Sequence, residues 1–203
     1  MLFSNGLQMS MKTASTISKL GTLGARAEGL AGTVPSHQAY ILLHGQHSPR
    51  AFPSRATSPL LVALRQRALR WSALVNLAWV PSNDVGGVPE HSEDMGGAET
   101  YSLVAFARDC TRLEIPSVSV DNLEDTCAEL NDYMTRPTRG AVDPDGLYLY
   151  VCTHGARDCR CGEWGSKVAD ALREEIYKRK EAEPTSKYSH IVIGEVGHIG
   201  GHQ

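Results

Sequence analysis

Cys152 and Cys161 stand at the two ends of CTHGARDCRC, and His198 and His202 flank HIGGH near the end of the chain. Two thiols and two imidazoles, each pair closely spaced, form the donor set of a zinc site or an iron-sulfur site. Zinc accepts two Cys and two His, but zinc fingers place about two to four residues between their cysteines. Eight residues lie between Cys152 and Cys161, which disfavours zinc without excluding it. A 2Fe-2S cluster held by two thiolates and two imidazoles is the other solution, the ligand set of Rieske centres. Replacing two thiolates by neutral imidazoles leaves the oxidised site about two charges less negative, so adding an electron costs less and the potential rises. A ligating imidazole whose second nitrogen is exposed gains proton affinity on reduction, which predicts a pH-dependent potential.

The neighbours of these four residues admit blander roles. Cys159 lies one residue from Cys161 and is read as a loop residue, with ligation or a resolving thiol as the sharper alternatives; so close a pair bridges poorly. Cys110 and Cys127 read as small buried apolar residues in a strand and a helix. His154 reads as a surface-loop residue before a ligand or a donor behind one. Arg157 and Asp158 are expected to shape the loop through a salt bridge. No nucleophile stands beside a positioned base, and no CxxC supports a dithiol oxidoreductase.

These donors need strands to deliver them. LYLYV (147–151) reads as a strand ending at Cys152, SKVADALREEIYKRK as a helix and HIVIGEV as a second strand. A helix between two strands predicts that they are parallel neighbours, so His198 would emerge beside the Cys loop, where open α/β sheets bind ligands. Upstream, YILLH (40–44) is a strand and QHSPRAFPSRATSP a loop. LLVALRQRALRWSALV carries helical spacing, VNLAWV and TYSLVAFAR read as strands, SVSV as a short strand, and LEDTCAELNDYM as a helix capped by Asp121 or Asn122. The segment TRPTRGAVDPDG is a linker by its Pro, Gly and Asp content. Sliding the chain by 108 residues lays ILLH (41–44) on LYVC (149–152) and SPLLVALR (58–65) on SKVADALR (166–173), a pattern that suggests duplication. In that register Cys152 meets His44 and Cys161 meets Pro53, so only the second copy carries the thiols.

The chain has 203 residues, 41% hydrophobic and 21% charged, with a formal net charge of -3. It lacks the basic excess of a nucleic-acid binder and any run of the roughly 20 apolar residues a membrane-spanning helix needs. Five scattered cysteines are unlike the even frameworks of small secreted domains and fit a reducing compartment. Residues 1–27 hold Lys12, Lys19 and Arg26 but no acid, the composition of a mitochondrial leader or of a disordered polar terminus. Mitochondrial residence is therefore expected, with the cytoplasm as the alternative.

CTHGARDCRCG, a helix, and HIGGH about forty residues on resemble the signature of the sucrase/ferredoxin-like family of thioredoxin-like ferredoxins, which includes the fungal altered-inheritance-of-mitochondria type. LAGTVPSHQAYILLH, HSPRAFPSR and ALRWSALVNLAWVP are similar to its N-terminal half, so the resemblance spans roughly residues 27 to 203. It implies two tandem thioredoxin-like halves, 28–135 without ligands and 145–203, the second holding a 2Fe-2S cluster through Cys152, Cys161, His198 and His202. Members continue past the second His into a strand hairpin, so the second half is expected to lack its last strands. The expected activity is electron transfer with a redox partner or reductase, a carrier more than an enzyme. A zinc-stabilised interaction module and a metal-free thiol-redox protein are the alternatives.

Overall fold

The computed structural model describes residues 36–81, 99–136 and 146–199. His202, the 1–27 segment and most of the expected linker lie outside that range. The described elements are β1 (Ala39–His44), α1 (Pro59–Ala68), β2 (Ala73–Trp79), β3 (Tyr101–Ala107), β4 (Arg112–Val118), α2 (Leu123–Thr135), β5 (Leu147–Cys152), α3 (Ser166–Ala182) and β6 (Ile191–Val196). All six strands join one mixed sheet in the order β4-β3-β1-β2-β6-β5. β1 and β2 are parallel around α1, and β5 and β6 are parallel around α3, as a strand–helix–strand connection favours. β3 runs antiparallel to β1, β4 to β3, and β6 to β2.

Alternation along the strands sorts the two faces. Ala39, Ile41 and Leu43 of β1 enter a large cluster with Val75 and Leu77 of β2 and Leu103 and Ala105 of β3. Leu60, Leu61 and Leu64 of α1, and Leu123, Cys127, Leu130 and Tyr133 of α2, complete it. The expectation that Cys127 is buried holds, since it is 3% exposed. The opposite face carries a thinner cluster in which Leu42, Ala78 and Val196 meet Phe106, Tyr150 and Cys152. Phe106 of β3 lies 5.2 Å from Tyr148 of β5, ring centre to ring centre, although three strands separate β3 from β5 in the sheet. Arg112 of β4 also covers Tyr148, at 4.7 Å. A flat sheet would hold these strands about 19 Å apart, four steps of the strand spacing, so the sheet is curled strongly over this face.

Three sequence expectations change. The first helix is shorter than its apolar spacing suggests: Ser58 Oγ caps it by accepting from the Leu61 N–H at 3.0 Å, but Leu69–Trp71 tighten into a 3-10 turn and Ser72 adopts φ 49°. That left-handed residue ends the helix, and Ala73–Val75 become strand. The SVSV strand starts earlier, at Arg112, with Pro116 at a register shift that spares the ladder a missing donor. Cys110 is not a buried strand residue; it is exposed in the turn between β3 and β4 at φ 64°.

Candidate metal centre

β5 delivers Cys152 on the edge strand, directly opposite Val196 of β6. The chain turns through residues 153–160, and Cys161 opens a wide π-helical turn, Cys161–Gly165, that feeds α3. Asp158 organises the turn. Its carbonyl accepts from the Cys161 and Gly162 N–H groups at 3.0 and 3.2 Å, and its carboxylate accepts from the Arg160 N–H at 2.9 Å. Its ion pair is with Arg160, at 2.8 Å; the expected pairing with Arg157 is therefore corrected, and the Arg157 side chain is exposed. Glycine matters here for space. A Cβ on Gly165 would stand 2.0 Å from the Cys152 carbonyl oxygen, and one on Gly162 would stand 2.7 Å from the Gly155 Cα. The loop thus closes backbone against backbone and brings the two thiols together.

β6 brings the imidazole. Past Val196, the Gly197 N–H donates to the Leu77 carbonyl at 2.9 Å, and the Asn76 amide donates to the Gly197 carbonyl at 2.9 Å. The next residue, His198, has its N–H directed to His154 Nδ1 at 3.3 Å. The Nδ1 and Nε2 atoms of His154 make opposite demands: Nε2 donates to the Pro53 carbonyl at 2.8 Å, while Nδ1 accepts. A single neutral tautomer meets both. His154 is 4% exposed, so the surface-loop reading is overturned; it is a buried strut under His198.

The ligating atoms of Cys152, Cys161 and His198 all lie within 4.8 Å of one another, and Cys161 Sγ is 3.7 Å from His198 Nδ1. Two sulfurs and a ring nitrogen so close, one buried and two half-buried, are soft donors suited to zinc or iron. Burial, and then the hydrogen bond and charge of Cys152, push the Cys161 thiol up to about 12. Two neighbouring thiols resist ionising together, and a bound cation reverses that balance. Cys159 is exposed and does not join the group.

Behind the centre lies a feature the sequence did not single out. Glu195 is fully buried on β6, and its Oε2 accepts from the hydroxyls of Ser48 and Thr153 and from Arg50 Nε. Its Oε1 accepts from Arg50 at 2.8 Å and Arg173 at 2.6 Å. Burial alone would raise this carboxyl, but the bonds from Ser48, Arg50, Arg173 and Thr153 outweigh it and hold the group at about 2. Ser48 and Arg50 come from the loop after β1, Arg173 from α3 and Thr153 from the Cys loop, so one carboxylate ties the site to both stretches of chain. The signal available in sequence was the SPR of HSPRAFPSR and an acid inside an otherwise apolar strand.

A cleft of about 590 Å³ opens beside His198, lined by Phe52, Leu77, His154, Ile199 and the arginines Arg55, Arg65 and Arg157, among others.

Soft donors gathered at the carboxyl ends of a parallel strand pair make this an α/β protein with a candidate thiolate and imidazole metal group. The chain belongs to the sucrase/ferredoxin-like family, whose sequence model matches residues 30–203. Comparison with curated proteins and with solved structures gives no match. Among the described residues no helix is long and apolar enough to cross a membrane.

Proposed function

We propose that the chain is an electron carrier in which Cys152, Cys161, His198 and His202 hold a 2Fe-2S cluster. The observation that carries this reading is the convergence of three of those donors within 4.8 Å, in a chain of a ferredoxin-like family. Such a cluster supplies one-electron transfer when bound. The protein's own residues do the rest. Gly165, Gly155 and Gly162 let the thiols approach, His154 orients the His198 backbone, and the half-buried position of His198 keeps its ring near solvent, where electrons and protons arrive. A redox partner or reductase is the corresponding partner. The acid-free leader composition supports a mitochondrial setting, which subcellular fractionation tests.

The finer architecture belongs to the same proposal: two related thioredoxin-like halves, 28–135 and 145–203. In support, an offset of 108 residues lays β1 on β5 end for end and lays the capping Ser58 on Ser166, the first residue of α3. The second strand of each strand–helix–strand unit, β2 and β6, meets its counterpart antiparallel where the two units join in the sheet.

Anaerobic purification tests the cluster. Iron and sulfide in equal amounts, with a Rieske-like electron paramagnetic resonance signal on reduction, are the expected result. A colourless protein without iron overturns it. One observation favours a second reading. The 3.7 Å between Cys161 Sγ and His198 Nδ1 matches the edge of about 3.6 Å expected for a tetrahedron around one zinc ion. Stoichiometric zinc that survives dialysis would establish that reading.

A further inference from the structure

Five described arginines have no carboxylate partner among the described residues: Arg70 lies over Trp71, Arg108 meets Gln38, and the other three line one cleft. Arg50, Arg67, Arg112, Arg136, Arg160, Arg173 and Arg179 each pair with a carboxylate. The three that line the cleft beside His198 do not among the described residues, and no Asp or Glu appears among the described residues that line it. Arg55 and Arg157 make no ion pair among the described residues, and Arg65 uses only its Nε, donating to the Val75 carbonyl at 3.1 Å. All three residues are exposed, the Arg65 guanidinium being partly shielded, as the lowering of its pKa by desolvation shows. In a chain of net charge -3, a pocket edged by three cations, with no carboxylate among its described lining residues, is a local reversal of sign. Gathering like charges is unfavourable unless an anion enters, and a concave wall strengthens the field such an anion feels. Guanidinium is also the side chain whose planar fork fits phosphate and carboxylate oxygens.

Size and lining narrow the ligand. A cleft of about 590 Å³ falls inside the range of roughly 300–1,000 Å³ typical of small-molecule sites. Phe52, Leu77 and Ile199 offer it apolar surface beside the charges. We propose that this cleft binds a small organic polyanion, a phosphate- or carboxylate-bearing molecule, with its oxyanions on Arg55, Arg65 and Arg157 and its body against Phe52. His198 lines the same cleft, so the bound anion sits beside the candidate metal centre. The proposal does not depend on which metal that centre takes, or on whether it takes one.

Calorimetric titration of the full chain with inorganic pyrophosphate and with citrate tests it, because the two probes separate phosphate from carboxylate chemistry. Saturable one-to-one binding of at least one probe is expected, weakened tenfold or more in Arg55→Ala and in Arg157→Ala. Arg157→Lys should fall between wild type and Arg157→Ala. Arg70→Ala removes an exposed arginine that lies over Trp71 and does not line the cleft, and it should bind as wild type does. Three results would overturn the proposal: no saturable heat with either probe, an equal loss in Arg70→Ala, or binding of a polyglutamate peptide alone, which would mark a protein-docking surface. The readout needs no metal, so it can fail while the cluster assignment stands, and the reverse.

Discussion

The two strand–helix–strand units solve the same packing problem with different materials. Around β1, α1 and β2, the chain buries a continuous apolar cluster completed by β3, β4 and α2. Around β5, α3 and β6 it buries far less: α3 runs seventeen residues with Ala169 as its one buried side chain. Instead, Glu195 and its two arginines tie this unit to the first on one face, and Tyr148 and Tyr150 close against Phe106 on the other. The ends of the paired strands differ in kind as well. His44 ends β1 sealed against the Tyr150 hydroxyl at 2.9 Å, and burial lowers its pKa to about 4. At the corresponding end of β5, Cys152 faces a second thiol and an imidazole. One unit invests in stability, and the other leaves room for chemistry and leans on its neighbour.

Substitutions can break this contrast, beginning with the largest effect. Cys161→Ser should abolish stoichiometric metal retention, measured by elemental analysis after gel filtration, while the far-ultraviolet circular dichroism stays near wild type. Retained metal would remove Cys161 from the ligand set. Glu195→Gln should come next. It leaves two guanidinium groups facing a neutral amide in a buried site, with an expected cost of about 3–5 kcal/mol in urea unfolding. Leu64→Ala, in the first unit's core, should cost about 2–5 kcal/mol and lower the global midpoint without changing metal content. A metal loss as large as that of Cys161→Ser would erase the division of labour.

Acid should act on both units through groups of lowered pKa. For His44 the folded value of about 4 lies below the ordinary 6.5, so its contribution is whole above 6.5 and is lost as pH falls toward 4. For Glu195 the folded value of about 2 lies below 4.5, so its contribution is whole above 4.5 and is lost as pH falls toward 2. Stability should therefore decline from about pH 6.5 in the wild type, but only from about pH 4.5 in His44→Asn, read as the slope of unfolding free energy against pH. The smallest expected effect is that of Cys159→Ser: unchanged metal content and unchanged unfolding midpoint, because the side chain is exposed and outside the donor group.

What could be read from residues alone followed periodicity and spacing. The positions of β1, β5, β6 and α3, and the parallel pairing of β5 with β6, were legible because apolar runs and a connecting helix constrain them locally. So was the meeting of Cys152, Cys161 and His198, once those strands were placed side by side. Other features depend on contacts between distant segments. His154 takes its role from Pro53 and from the backbone of His198, neither of which its own neighbours announce. Glu195 looks like a strand acid until Arg50 and Arg173 arrive from 145 and 22 residues away. The end of the first helix turned on one backbone angle at Ser72, which helical spacing does not encode.

The close packing at Gly165 carries a mechanical implication. Because the last carbonyl of the thiol-bearing strand rests where a methyl group would otherwise project, that position works as a gauge block: an alanine there would have to push the strand tip aside and would carry the first sulfur with it. The spacing of the donors is thus machined into main chain, and any ion taken up there would meet a mould already cut to shape.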